Sequence, residues 1–125
     1  MRVLLVDDNP DNLKLLGALL NSCGIESDWC ISGEEALEQV CVREYKAIFL
    51  DHMMPNMDGM ETARELRVAK IEWLKGIPII AMMTTTTTMS GVRDMFIRNG
   101  FNDLLAKPVR IHQVKEIISK WLTQG

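Results

Sequence analysis

Residues 3–10 read Val-Leu-Leu-Val-Asp-Asp-Asn-Pro, and this stretch predicts a strand that passes directly into a turn and a helix. A continuous apolar run is typical of a strand that is buried on both faces, as in a parallel sheet. Asn9 and Pro10 then predict a helix start, because proline suits the first helical turn. A buried strand followed at once by a helix is the repeating unit of an α/β fold.

The same pattern recurs along the whole chain. Further apolar runs predict strands at 25–31, 47–50, 79–82 and 103–106, and a helix pattern follows each strand, with Leu66 and Val68 as apolar contacts of the third helix. Strands that are joined through helices lie parallel, with right-handed crossovers. We therefore predict an α/β fold in which residues 1–125 form one domain, a flavodoxin-like, doubly wound five-stranded parallel sheet with five helices.

Composition narrows the class of function. The chain has 125 residues and a formal net charge of −3, so a general attraction to nucleic acid or to an anionic membrane is not expected. Its apolar runs are only a few residues long, whereas a membrane-spanning helix needs about 20. Residues 1–4 lead straight into a strand and show no cleavable signal pattern. We therefore expect a cytoplasmic location and no membrane insertion.

The cysteines indicate neither a disulfide framework nor a zinc site. Cys23, Cys30 and Cys41 are odd in number and contain no Cys-x-x-Cys pair. We expect all three to be buried, reduced thiols. His52 and His112 are too far apart in sequence to suggest a zinc cluster with them.

The chemistry is expected at one rim of the sheet, because ligands of open parallel sheets bind beyond the carboxyl ends of the strands. Asp7 and Asp8 stand at the end of the first predicted strand, Asp51 at the end of the third, a threonine tract over 84–88 after the fourth, and Lys107 after the fifth. Crowded carboxylates repel one another, and a hard divalent ion such as Mg²⁺ removes that repulsion. A carboxylate can also attack phosphorus to give an aspartyl-phosphate, with a lysine and the metal offsetting the phosphoryl charge.

Four segments in a fixed order make the chain resemble the receiver domains of two-component response regulators and hybrid histidine kinases. They are 3–9 (VLLVDDN), 50–59 (LDHMMPNMDG), 77–81 (IPIIA) and 106–108 (AKP). Each is weak alone, but the ordered set covers essentially the whole chain. The Leu50-to-Gly59 stretch and residues 100–103 are more similar to the receivers of hybrid kinases.

The resemblance implies roles for particular residues. Asp51 would be the phosphoacceptor for a histidine kinase or a histidine phosphotransfer domain. Asp7, Asp8 and Asp51 would hold Mg²⁺ together with the backbone carbonyl of Met53. Lys107 would pair with the phosphoryl group, and a cis peptide bond would precede the proline after it. Phosphorylation would switch a partner surface on the last two helices and the fifth strand, read by a downstream or intramolecular output domain.

Two positions depart from the family pattern. The family places a threonine or serine at the end of the fourth strand, where it binds a phosphoryl oxygen. Counting forward from residue 78 places that role on Met83, and counting back from the lysine places it on Thr85, so we expect Thr84 or Thr85 to fill it. The aromatic residue that often lies three positions before the lysine is Leu104 here.

Three interpretations of function are open. The first is a phosphorylated signalling switch that is not a multiple-turnover enzyme. The second is an interaction module that has lost phosphorylation, suggested by the altered threonine segment and Leu104. The third is a phosphatase or phosphotransferase with an aspartyl nucleophile. Haloacid dehalogenase enzymes of that kind carry Asp-x-Asp after their first strand, whereas this chain has adjacent Asp7 and Asp8.

Overall fold

The computed structural model describes residues 1–84 and 91–122, and it alternates strands and helices as the sequence predicts. The strands are β1 (Arg2–Val6), β2 (Glu26–Cys30), β3 (Ile48–Asp51), β4 (Ile79–Thr84) and β5 (Asp103–Lys107). The helices are α1 (Pro10–Ser22), α2 (Gly33–Gln39), α3 (Gly59–Val68), α4 (Val92–Arg98) and α5 (Ile111–Ile117). A 3-10 turn (Glu72–Leu74) precedes β4, and a π-helical segment (Ile118–Leu122) continues α5.

The five strands form one parallel sheet in the order β2-β1-β3-β4-β5. The chain moves outward from β1 to β2 and then returns to the other side of β1 for β3. This reversal opens a crevice beyond the carboxyl ends of β1 and β3, which is where open α/β sheets bind ligands. The register pairs Val6 with Leu50, so the residues after these two lie at the crevice.

The sheet is buried on both faces, which explains the continuous apolar runs. Along β1, Leu4 and Val6 face one core cluster, whereas Val3 and Leu5 face the other. The first cluster packs under α2, α3 and α4, and the second packs under α1 and α5. Successive strand residues point to opposite faces, so a strand covered on both sides needs apolar residues at every position.

Helix α1 is capped by the residue that the sequence predicts. The side chain of Asn9 accepts a hydrogen bond from the backbone N–H of Asp11 (2.9 Å), and Pro10 occupies the first turn. The backbone N–H of Asn9 also donates to Oδ1 of Asp7 (2.9 Å). The cap that starts the helix therefore also orients the first acidic residue of the rim.

Several details of the sequence prediction were wrong. Val68 is 72% exposed, because it lies two positions beyond the buried Leu66 and so points to the other side of α3. Of the cysteines, only Cys30 is buried, and burial raises the pKa of its thiol to about 11. Cys41 is exposed because it lies beyond the end of α2 at Gln39.

Within residues 1–84 and 91–122, no helix combines the length and the apolar character needed to cross a bilayer.

Candidate functional site

Three predicted site residues from three different strands meet at the rim. Asp7 follows β1, Asp51 ends β3 and Lys107 ends β5. The ammonium group of Lys107 donates a hydrogen bond to Oδ1 of Asp51 (2.8 Å) and lies 3.0 Å from Oδ2 of Asp7. Lys107 therefore bridges both buried carboxylates, although Asp7 lies near the opposite end of the chain.

The three acidic residues form a cluster suited to a divalent cation. One carboxylate oxygen from each of Asp7, Asp8 and Asp51 lies within 4.8 Å of the other two. Asp7 is fully buried and Asp51 is 3% exposed, whereas Asp8 is exposed at the mouth of the site. Two deep oxygens and one at the entrance allow a cation to keep part of its water shell, as Mg²⁺ does.

The pKa values of Asp51 and Lys107 reflect burial and the repulsion between neighbouring carboxylates. Burial raises the pKa of Asp51, and the charge of Asp7 adds to that effect, while the hydrogen bond from Lys107 opposes it. Burial also disfavours the charged form of Lys107, but its contacts with Asp51 and Asp7 outweigh burial and raise its pKa. The lysine stays protonated and offsets only part of the negative charge.

One buried oxygen lacks a hydrogen-bond partner, and this supports the fit of a cation. Oδ2 of Asp7 accepts no hydrogen bond from the described residues, and its contact with Lys107 lacks hydrogen-bond geometry. Buried polar atoms are rarely left unpaired, so this oxygen indicates a ligand position. An all-oxygen donor set at this point fits a hard ion such as Mg²⁺.

Helix α3 holds the backbone beyond Asp51. The N–H of Gly59 donates to the carbonyl of His52 (3.1 Å), and the N–H of His52 donates to the carbonyl of Met82 (3.0 Å). A methyl group on Gly59 would collide with the carbonyl oxygen of Asp51 and lie 2.9 Å from Cα of His52. Position 59 therefore requires glycine for this close approach of helix to strand, a role that sequence reasoning did not assign to it.

The cavity over the site, of about 270 Å³, shows which other residues reach it. Besides the three acids and Lys107, it is lined by Asn9, Asn12, Met53 and Met83. Asn12 was not predicted as a site residue. The sequence could have indicated Asn12, because it lies one helical turn after the capping residue Asn9 and so on the side of α1 that faces the rim.

The expected threonine contact is not among the described interactions. Thr84 ends β4, where its backbone pairs with Lys107, but its side chain lies outside the described part of the structure, and so does the whole of Thr85. Met83 lines the cavity instead, at the position reached by counting forward along β4. A hydroxyl at Thr84 or Thr85 stays a prediction.

Other residues named from the sequence have clear positions. The side chain of Met53 is 70% exposed at the edge of the cavity, and the role of its carbonyl stays a prediction. Leu104 is half-buried and packs against the core cluster beneath α4. The peptide bond between Lys107 and Pro108 is cis, as expected.

A model of the response regulator receiver domain family matches residues 3–119, nearly the whole chain. The chain belongs to that family. Hybrid signal transduction histidine kinase L of Dictyostelium discoideum is 34% identical over 128 residues, covering 99% of this chain and 7% of that protein. The signal transduction histidine-protein kinase BarA of Escherichia coli is 35% identical over 121 residues, covering 97% of this chain and 13% of that protein. This receiver domain thus spans only a small part of those relatives.

Solved structures agree with this assignment. The receiver domain of a Pseudomonas aeruginosa sensor histidine kinase, solved with a magnesium ion coordinated in its active site cleft, has a TM-score of 0.82 at 32% identity. The match covers 97% of this chain and 96% of that one. Vibrio cholerae chemotaxis protein CheY4 has a TM-score of 0.84 at 24% identity, covering 95% of this chain and 96% of that one, and shows the shared fold. The flavodoxin-like architecture and the receiver family predicted from the sequence are confirmed.

Proposed function

We propose that Asp51 accepts a phosphoryl group from the phosphohistidine of a histidine kinase or histidine phosphotransfer domain, with Mg²⁺ bound beside it. The observation that carries the proposal is the contact of Lys107 with two buried carboxylates, Asp51 and Asp7, at the rim of the sheet. A carboxylate that is ionised at neutral pH needs no general base to act as a nucleophile.

The transfer conserves atoms and charge in a simple way. A carboxylate oxygen of Asp51 forms a bond to phosphorus as the bond between phosphorus and the donor imidazole nitrogen breaks. The bonding pair stays on the leaving nitrogen, and because the other ring nitrogen of the phosphohistidine already carries a proton, the donor histidine leaves as neutral imidazole. Lys107 is placed to pair with one phosphoryl oxygen, because its ammonium group already lies 2.8 Å from Oδ1 of Asp51.

The chain's own residues define where Mg²⁺ would sit. Asp7, Asp8 and Asp51 would hold it, with the carbonyl of Met53 as a further oxygen ligand. The ion would offset the charge of the phosphoryl oxygens during transfer. The magnesium in the related Pseudomonas receiver supports this choice of metal.

We further propose that the domain works as a stoichiometric switch and not as a multiple-turnover enzyme. Similarity to hybrid kinases supports kinase or phosphotransfer partners and an output domain that is downstream or on the same chain. The helices α4 and α5 with β5 would form the surface that changes. We infer a cytoplasmic location, where a kinase partner and the free thiols of the cysteines are both accommodated.

The test is phosphotransfer to the wild type and to Asp51→Asn, read by intact mass. Donors are acetyl phosphate and a phosphorylated histidine phosphotransfer domain, each with Mg²⁺ and with a chelator. We expect one phosphoryl group on the wild type, none on Asp51→Asn and none with the chelator. Glu65→Gln, which neutralises an exposed carboxylate on α3 outside that surface, is the control and should behave as wild type.

A second candidate function is an interaction module that takes no phosphoryl group. Met83 lining the cavity and Leu104 below α4 favour it, because neither side chain can hydrogen-bond a phosphoryl oxygen. A wild type that gains no mass from either donor would exclude the first function and favour this second one.

A further inference from the structure

We propose that the packing of His52 on Phe96 couples the phosphoryl state of Asp51 to helix α4. The inference rests on the proposed function, since it concerns the structural effect of phosphorylating Asp51. It assigns a role to a residue that alternation along the strand directs away from the acidic cluster.

The backbone of His52 is held firmly next to the site. Its N–H donates to the carbonyl of Met82 and its carbonyl accepts from the N–H of Gly59. Asp51 and His52 share one peptide unit, and a peptide unit is planar and stiff. A shift of the Asp51 backbone on phosphorylation would therefore move the His52 peptide, together with its ring, within these two hydrogen bonds.

The ring of His52 lies directly against α4. Its centroid is 5.0 Å from that of Phe96, with an interplanar angle of 73°, an edge-to-face contact. Phe96 is completely buried and makes a second edge-to-face contact with Phe101 at 5.3 Å, just before β5. Three rings thus connect the residue after the phosphoacceptor to α4 and then to the start of β5.

The imidazole is not tied down by a hydrogen bond on its buried side. Nδ1 of His52 is buried and has no hydrogen-bond partner among the described residues. Among the described residues the ring is therefore held by packing alone, with no hydrogen bond on this side to oppose its movement against Phe96. Coupling between the two sites requires a second arrangement of this contact, in which the ring has shifted against Phe96 when Asp51 is phosphorylated.

The neighbouring side chains are poorer carriers of the signal. Met83 lines the cavity and Leu104 packs in the core cluster that contains Phe96, but neither shares a peptide unit with Asp51 as His52 does. Helix α4 also exposes Met95 (40%) and Ile97 (42%), so a shift of Phe96 would rearrange an apolar surface available to a partner.

The experiment measures amide hydrogen exchange of residues 92–98 before and after phosphorylation by acetyl phosphate with Mg²⁺, and reads phosphoryl occupancy by intact mass in the same samples. We expect phosphorylation to change α4 exchange in the wild type. His52→Ala should keep the mass gain and lose the change in α4. His52→Phe, which retains a ring against Phe96, should restore it.

The matched control is His112→Ala, which removes an exposed histidine from α5 and should respond as wild type. Phe96→Leu removes the ring contact with His52 from the side of α4 and leaves the peptide between Asp51 and His52 unchanged. If His52→Ala takes up fewer phosphoryl groups than the wild type, Phe96→Leu is therefore the variant that tests the coupling. An α4 response per phosphorylated molecule that is unchanged in both His52→Ala and Phe96→Leu, or absent in the wild type, would overturn the inference. A wild type that gains no phosphoryl group would instead show that the proposed function itself is wrong.

Discussion

At the scale of single residues, the site is a balance between buried like charges and one cation. Asp7 and Asp51 are both deep in the rim, and the ammonium group of Lys107 reaches each of them. A single lysine cannot neutralise two carboxylates and the nearby Asp8. The site therefore stays short of positive charge until a cation binds, and such an arrangement lowers stability in exchange for reactivity.

This balance predicts that Asp51→Asn is more stable than the wild type at neutral pH without Mg²⁺. Burial raises the pKa of Asp51 above its unfolded value of about 3.9, so the folded state holds the proton more tightly. The stability linked to that proton is fully present below the unfolded pKa and is lost as pH rises through the folded pKa. We expect the free energy of unfolding at pH 7 to rise by on the order of 1 kcal/mol in the variant.

Urea unfolding at pH 7 and near pH 4 measures this effect, with Asp94→Asn as the surface control. The difference between the variant and the wild type should shrink toward the acidic end. An Asp51→Asn protein less stable than the wild type at pH 7 would contradict the electrostatic account.

Met53 predicts a long-lived phosphoryl group. Its thioether is 70% exposed beside the cavity and cannot orient an attacking water by donating a hydrogen bond. We expect the phosphorylated wild type to persist far beyond seconds. Met53→Asn, which adds an amide at that position, should hydrolyse faster by on the order of tenfold, equivalent to about 1.4 kcal/mol in the barrier. Mass measurement over time after donor removal gives both rates, and a wild-type half-life of seconds would exclude this role for Met53.

At the scale of elements, close contacts between helices and strands hold the site in place. Helix α3 approaches the end of β3 so closely that Gly59 has no room for a side chain beside the carbonyl of Asp51. At the edge strand β5, Asp103 ties the start of the strand to α4 through Arg93 and to the segment after α5 through Trp121. The contact at Gly59 lies next to Asp51 and affects the rim directly, whereas the contacts of Asp103 lie at the amino end of β5 and affect overall stability.

Gly59→Ala is expected to damage the site and the fold together. The added methyl group meets backbone atoms of Asp51 and His52, which cannot move aside as a flexible side chain could. We expect a loss of about 2–4 kcal/mol in the free energy of unfolding and a slower phosphoryl uptake. Gly76→Ala, where no heavy atom lies within 4 Å of the new carbon, is the control. Equal stability of the two variants by urea unfolding would refute the steric argument.

The surroundings of Asp103 lead us to expect that the free energy of unfolding depends on pH. Burial alone would raise its pKa, but hydrogen bonds from the indole of Trp121 (2.8 Å), the backbone N–H of Leu104 (2.8 Å) and the guanidinium of Arg93 (3.0 Å) outweigh burial and lower it. The ammonium group of Lys120 lies 3.4 Å away. The charged carboxylate is therefore the stabilising form.

We expect Asp103→Asn to lower the free energy of unfolding at pH 7 by about 1–3 kcal/mol. A lowered pKa contributes stability above the unfolded value of about 3.9, and that stability is lost as pH falls through the folded pKa. The difference in the free energy of unfolding between the wild type and Asp103→Asn should accordingly be largest at pH 7 and should become smaller below about pH 4. A gap that is constant over this range would argue against a charged Asp103 in the folded state.

At the scale of the whole molecule, the rim forms only when the complete sheet has formed. Asp7 and Lys107 lie at opposite ends of the chain, and the order β2-β1-β3-β4-β5 places β3 and β4 between the strands that carry them. A ligand at the rim that binds only the folded state therefore stabilises the entire domain by mass action.

Mg²⁺ is predicted to raise the midpoint of thermal unfolding in a concentration-dependent manner. At about one hundred times its dissociation constant, a ligand bound only to the folded state adds about 2.7 kcal/mol. Asp7→Asn should lose most of this gain, since it removes the buried carboxylate whose Oδ2 accepts no hydrogen bond from the described residues. Calorimetry in Mg²⁺ and in a chelator measures the shift, and an equal shift in wild type and variant would place the ion elsewhere.

The amino-acid sequence by itself determined the element order, the parallel sheet and the rim that carries Asp7, Asp51 and Lys107. These features depend on local information, because continuous apolar runs mark buried strands and the charged residues after them must lie at the carboxyl ends. The receiver family is likewise identified by short motifs in a fixed order.

Only the tertiary structure decided how these residues meet. The sequence could not show that one ammonium group reaches two buried acids, that Gly59 has no room for a methyl group, or that His52 packs on Phe96. The same is true of Val68, which a helical pattern placed inside and the packing of α3 placed outside. Local periodicity identifies an element, but the rotation of each helix and the distances across the rim depend on contacts between residues far apart in the chain.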